Sequence, residues 1–297
     1  MIRSIIPTLL LLWLSACTAP ITIRTNDSKP VIVIYGCLTE QATHQTVRIS
    51  GSSPYFDEVR NKPVSGATVS ISSSDNRTFE LTESPDEQGF YLTVRPMAAV
   101  PGVTYTLCVE VDFDGDGVVE TYTASTVMTH PAGVDSIAIR PISIMGYKHY
   151  TLSFFAPDAP STDYYLARFV INDTIETRRI SDLTVFSDEG FNGQYFNDVA
   201  LRYFDDTDND FPSGSNMETD TAFSVRPGYR ITLLFSRIDQ GYFNFINQCR
   251  EEKRGENPFF GGPPSNIETN IDNGGAGYFA AFSTTATEAV VPDAENE

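Results

Sequence analysis

Between residues 31 and 126 the chain is divided into seven short runs rich in β-branched and aromatic residues: "VIVIYGCL" (31–38), "QTVRIS" (45–50), "ATVSIS" (67–72), "TFELTE" (78–83), "FYLTV" (90–94), "TYTLCVEV" (104–111) and "VETYTAST" (119–126). Clusters of Gly, Pro, Asn, Asp and Ser separate them, so each run reads as a strand bounded by turns. Seven strands at this spacing predict a β-sandwich of about 100 residues, of immunoglobulin-like size.

The stretch "MTHPAGVDS" (128–136) interrupts this pattern with Pro131 and Gly133, which places a domain boundary there. It separates an N-terminal sandwich, residues 30–130, from a C-terminal β domain, residues 131–297. In the second part "SIAIRPISI", "HYTLSFFA", "DYYLARFVIN", "TLLFSRI" and "GYFAAFST" are again strand-like, with denser aromatics, while the acidic "YFDDTDNDFPSGSNMETD" (203–220) reads as a long loop. One segment changes period. Ile238, Tyr242, Phe245, Ile246 and Cys249 recur at helical spacing, with Ser236 or Asp239 available as N-cap and Gly255 as a stop. An amphipathic helix near 239–253 is expected, its aromatic stripe laid on the second domain as core. The expected architecture is all-β: two β-sandwich domains with one amphipathic helix in the second.

The N-terminus has a different character. "MIRSIIPTLLLLWLSAC" carries a positive charge at Arg3, an apolar run and small residues leading to Cys17, the pattern of an export signal too short to span a membrane. Small residues before a cysteine at that point resemble the bacterial lipobox, in which the cysteine is lipidated and becomes the mature N-terminus. Residues 1–17 are thus expected to be a lipoprotein signal, Cys17 the lipidated residue, and residues 18–29 a tether. More than one acyl chain makes such anchoring durable.

The full chain has 20 Lys and Arg against 39 Asp and Glu, a formal charge of -19, which argues against nucleic-acid binding. Cys37, Cys108 and Cys249 remain after lipidation of Cys17 and contain no Cys-x-x-Cys; a bridge between Cys37 and Cys108 and three free thiols are both open. His44, His130 and His149 stand outside any recognisable catalytic motif, so the chain is read as a non-enzyme. The glycines of "NGGAGYFAAF" (273–282) precede a strand rather than a helix, so they read as a tight turn or close backbone packing, not a phosphate cradle.

Two features point to contacts. "DFDGDGVVE" (112–120) places Asp112, Asp114 and Asp116 before Gly117, like the first half of a calcium loop, with Glu120 at the ninth place. The alternation of Tyr105, Leu107, Val109 and Val111 before it, and of Val119, Thr121 and Thr123 after it, makes it a hairpin tip, with or without a stabilising calcium. "SSPYFD" and "NPFFGGPP" place Tyr55, Phe56, Phe259 and Phe260 in loop-like surroundings, where large apolar groups need burial or a partner.

Taken in order, the lipobox at Cys17, "VIVIYGCLTE", "VRISGSSPYFD", "PVSGATVSIS", "PGVTYTLCVEV", "SRIDQGYFNFINQ" and "NPFFGGPPSNIETNIDNGGAGYFAAFS" resemble a family of bacterial lipoproteins, chiefly from Bacteroidetes, catalogued as domain of unknown function 4249. The first half, with "VSGATV" leading to "GFYLTV", also resembles transthyretin-like sandwiches. The resemblance implies a lipid-anchored outer-membrane protein accompanying a TonB-dependent receptor in nutrient uptake. Rival readings are a carbohydrate-binding or adhesive module, with a glycan or peptide ligand, and a cell-envelope assembly factor. Surface-exported lipoproteins of this group carry acids close to the lipidated cysteine, whereas here the first acid is Asp27, so the membrane face stays open.

Overall fold

The computed structural model describes residues 30–52, 62–177, 179–207, 224–255 and 267–293. Cys17 lies outside them, as do Tyr55, Phe56, Phe259 and Phe260. The first part of the chain forms β1 (Ile32–Leu38), β2 (Thr46–Gly51), β3 (Lys62–Pro63), β4 (Thr68–Ser73), β5 (Thr78–Glu83), β6 (Phe90–Thr93), β7 (Thr104–Val111) and β8 (Glu120–Val127). The second part forms β9 (Ser136–Ile144), β10 (Tyr147–Ala156), β11 (Tyr164–Ile171), β12 (Thr174–Ile175), β13 (Thr184–Ser187), β14 (Phe196–Asp206), β15 (Ser224–Val225) and β16 (Arg230–Ile238). The helix α1 (Gln240–Gly255), β17 (Ala276–Ala281) and β18 (Thr284–Val290) complete the described elements. The fold is all-β with one α-helix among the described residues, and that helix is not long and apolar enough to cross a membrane.

The first sheet has nine strands in the order β17-β1-β2-β6-β5-β4-β7-β8, with β3 added beside β2. It folds over on itself around one core that includes Ile34, Val47, Ile71, Tyr91, Leu107 and Phe279. Alternate residues of β1 and β7 point inward, the period-2 pattern that the sequence displays. The two end strands, β17 and β8, are tied by residues 270–273. Asn270 donates to the carbonyls of Phe279 at 2.8 Å and Ser125 at 3.3 Å, and its Oδ1 accepts from the Phe279 amide at 2.9 Å. On the β8 side the Asp272 amide donates to the Thr123 carbonyl at 3.0 Å, and Thr123 Oγ1 donates to Asp272 Oδ2 at 2.7 Å. Both exposed edges are thereby covered, which removes a template for unwanted strand addition.

β17 departs from the sequence-based division. Assigned by its position to the domain after residue 130, it pairs in parallel with β1, from Val33 opposite Ala276 to Leu38 opposite Ala281. Its run of apolar residues is buried on both faces, as parallel strands usually are. Gly277, at φ +99°, explains how the two backbones come so close: a Cβ there would sit 2.1 Å from the Ile34 carbonyl oxygen.

The second part is a sandwich of two sheets. One has the order β15-β14-β10-β9, the other β12-β11-β16-β18 with β13 added beside β11. Their facing sides enclose Tyr150, Leu152, Phe154, Phe169, Phe204 and Phe235 among others. Phe154 and Tyr165 stand at the centre, each with its ring centroid 5.1 to 5.2 Å from that of Phe235. The connection between the two parts runs from Met128, in the first core, to Ala132, in the second. It is pinned on the way: Thr129 Oγ1 donates to the Arg237 carbonyl at 2.6 Å and the Thr129 carbonyl accepts from Ser283 Oγ at 2.9 Å.

A third core joins the parts. Tyr242, Phe245 and Ile246 of α1 pack with Leu166 of β11, Tyr278 and Ala280 of β17, and Tyr35 and Cys37 of β1. The helix therefore lies against both parts, rather than on the second alone. Asp239 caps it: its Oδ1 accepts from the Tyr242 amide at 2.9 Å and also from the Tyr278 hydroxyl at 2.8 Å. Ser236, the other cap suggested by the sequence, is buried within β16 and shares a 2.9 Å hydrogen bond with Thr284.

Candidate functional site

A cleft of about 690 Å³ opens at one end of the first sheet, lined by Lys62 and Val64, by Phe113 and Asp114 of the β7–β8 loop, and by Glu120 and Tyr122 of β8. Tyr122 is nearly buried, so its ring forms floor rather than rim, while Lys62 and Asp114 are exposed. Apolar floor and charged rim together suit an amphipathic ligand. Ser52 and Lys62, both lining residues, flank residues 53–61, which include Tyr55 and Phe56 and lie outside the described residues.

The acidic hairpin forms one wall. Asp112 accepts amide hydrogens from Gly115 at 2.9 Å and Gly117 at 3.0 Å, Asp114 from Asp116 at 3.2 Å, and Asp116 from Val118 at 2.8 Å. These are the local turns that Asp side chains make with nearby backbone amides, and Gly115 and Gly117 supply the positive φ such turns need. The arrangement brings one oxygen each of Asp112, Asp114 and Asp116 within 4.8 Å of one another. Glu120 is not in that group; its Oε2 accepts from the Phe113 amide at 2.9 Å, which fixes the backbone of a residue lining the cleft. Of the four acids nominated from sequence, three converge as a cation site would require, and the same three are already engaged in forming the turn.

The family model of the domain of unknown function DUF4249 matches residues 18–288, from the residue after Cys17 almost to the end of β18. The chain belongs to this family. Among curated proteins it finds no match.

In this DUF4249 chain the three cysteines, His44, His149 and the glycines before β17 are engaged within the fold. Cys37, Cys108 and Cys249 are free, so the Cys37–Cys108 bridge is not formed. Cys37 is turned into the third core, where burial pushes its thiol up, and burial likewise pushes Cys249 up to about 11. Thiols held neutral in this way are poor nucleophiles. His149 pairs with Asp205 across β10 and β14 at 2.8 Å, and His44 faces the Thr93 carbonyl, so both imidazoles are committed to neighbouring strands. Gly274, Gly275 and Gly277 serve the turn into β17 and its approach to β1.

Two features had no sequence signal. A smaller cavity of about 250 Å³ lies between the parts, lined by Tyr35, Cys37, Arg168, Arg179 and Tyr242. Asp158, Asp163 and Asp188, spread over 31 positions, offer oxygens within 4.8 Å of one another at one end of the second sandwich. Both are assembled from separate strands and loops, which no motif spacing could register.

Proposed function

We propose that this chain is a non-enzymatic outer-membrane lipoprotein, anchored through Cys17, that holds a ligand in the cleft at the end of its first sheet and accompanies a TonB-dependent receptor in nutrient uptake. The observation that supports binding at this place is the cleft itself: about 690 Å³, in the range of small-ligand sites, with Phe113 and Tyr122 below and Lys62, Asp114 and Glu120 at the rim. The receptor partnership and the membrane address rest on the lipobox and on the resemblance described above.

The test is affinity capture from detergent-solubilised membranes through a C-terminal tag, comparing wild type with Lys62→Glu and Phe113→Ala. Recovery of a β-barrel receptor by the wild type, lost in both variants at unchanged melting temperature, supports the reading. Recovery that is the same in all three places the partner elsewhere and removes the cleft from the proposal.

A carbohydrate-binding module is the second reading, favoured by the juxtaposition of two aromatic rings with carboxylates, a pairing that suits sugar faces and hydroxyls. Glycan-array binding that Phe113→Ala abolishes, with no receptor recovered, would select it.

A further inference from the structure

We propose that Asp158, Asp163 and Asp188 form a partly buried site for a hard divalent cation, calcium by preference, that clamps the two connections between the sheets of the second sandwich. This site is independent of the acidic hairpin and of the cleft.

Asp158 and Asp163 lie in the connection from β10 to β11, which crosses from one sheet to the other; Asp188 follows β13, at the start of the connection that crosses back to β14. Backbone bonds fasten these loops together: the Asp163 amide donates to Asp188 Oδ1 at 2.8 Å, the Asp188 amide to the Asp163 carbonyl at 3.3 Å, and the Gly193 amide to Asp158 Oδ2 at 2.9 Å. Tyr165 donates its hydroxyl to Asp158 Oδ1 at 2.6 Å. Asn192, with its amide nitrogen toward Asp188, donates to Asp188 Oδ1 at 3.0 Å and accepts from Thr162.

What this network leaves over carries the inference. Asp188 is 1% exposed, yet its Oδ2 has no hydrogen-bond partner. A buried carboxylate oxygen without a donor is costly, and it stands among two further carboxylates. The counter-charge is Arg237, 3.1 Å from Asp163 Oδ2, which leaves three carboxylates against one guanidinium. A divalent cation supplies the two missing charges and a partner for Asp188 Oδ2. The ligand atoms that converge are carboxylate oxygens, hard donors of the kind that calcium accepts in irregular geometry. The hairpin acids differ on this point: Asp114 and Asp116 are exposed to water, and no oxygen of that group is buried without a partner.

Calcium is titrated into the purified, chelator-stripped full chain by calorimetry, with melting followed in parallel. We expect binding with a rise in melting temperature, weakened more than about tenfold in Asp188→Asn and kept in the double variant Asp112→Asn/Asp116→Asn. Asp158→Asn, in a less buried member of the cluster, should show the same loss and guards against a folding failure of the Asp188 variant. No heat and no melting shift in the wild type would overturn the site and leave Asp188 sharing a proton with Asp158. Binding that disappears in the hairpin variant and survives in both Asp188→Asn and Asp158→Asn would overturn it too, by moving the calcium to the β7–β8 loop.

Discussion

The hydroxyls of Tyr35 and Tyr242, 207 positions apart in sequence, meet at 2.6 Å in the core that joins the two parts of the molecule. The Cys37 thiol lies 3.5 Å from each of them. Burial pushes both phenols well above their ordinary range, which favours the neutral, hydrogen-bonding form of each.

Removing one hydroxyl leaves the other buried with the weak thiol as its remaining neighbour. Tyr35→Phe and Tyr242→Phe should each cost about 1–2 kcal/mol, while the double variant should cost no more than either single one, because the unsatisfied group disappears with its partner. Chemical denaturation of the four proteins measures the coupling; strictly additive losses would show that the pair does not interact.

Gly277→Ala tests the close approach of β17 to β1. The 2.1 Å that a Cβ would leave to the Ile34 carbonyl cannot be relieved by a side-chain rotation, because the backbone fixes where a Cβ sits and the atom it meets is a main-chain oxygen. A loss above about 3 kcal/mol, or failure to fold, is expected, against about 1–2 kcal/mol for Gly66→Ala, where nothing lies within 4 Å and the cost is the positive φ alone. Equal melting temperatures for the two variants would contradict the pairing.

Asp239 serves the helix and the third core with one oxygen. Asp239→Ala removes the cap, worth about 1 kcal/mol, and also strands the Tyr278 hydroxyl, so about 2–3 kcal/mol in total is expected. Adding Tyr278→Phe to Asp239→Ala should recover the second part of that loss. Stability from urea unfolding, with helix content by circular dichroism, reads both.

Glu83 provides the pH test. Amide hydrogens of Gly89 at 2.8 Å and Gly66 at 3.3 Å and the Ser65 hydroxyl at 2.7 Å point at its carboxylate, with the Gly89 bond the largest cause, and they hold it below the ordinary glutamate value. Its folded pKa is depressed, so its contribution is fully present above the ordinary value and is lost as pH falls through the folded one. Wild type should exceed Glu83→Gln by less than about 1 kcal/mol at neutral pH, since water screens the site, and the gap should close on acidification. A gap that widens toward acid would contradict the assignment.

Seven strands of the first sheet, β1, β2 and β4 to β8, were legible because they carry alternating apolar residues between turn-forming clusters, whereas the two exposed residues of β3 carry no pattern. The helix was legible too, from Tyr242, Phe245 and Ile246 at helical spacing and Asp239 before them. β14 and β18 were not: β14 buries little beyond Phe196, Phe204 and Asp206 and is otherwise polar, and β18, "TTATEAV", has half-exposed Thr and Ala in place of an apolar face. The partner of β17 was hidden for another reason. Periodicity reports which residues are buried, and a strand buried on both faces says nothing about which sheet buries it. Of the candidate sites, the hairpin acids were visible because they alternate within one short stretch, whereas the Asp158, Asp163 and Asp188 group depends on two loops meeting in space.

β17 also sets an order of events. A chain delivered from its N-terminus presents β1 to β8 long before residues 276–281 arrive, and until then β1 has one edge without a neighbour. The part that begins the sequence thus waits for β17, which follows every strand of the second part but β18. Pairing over such a separation is slow, and an unprotected edge is where a waiting chain meets its copies. A fragment ending at residue 130 is a poor substitute for the first unit, and any cellular factor that shields this protein before completion has β1 to cover.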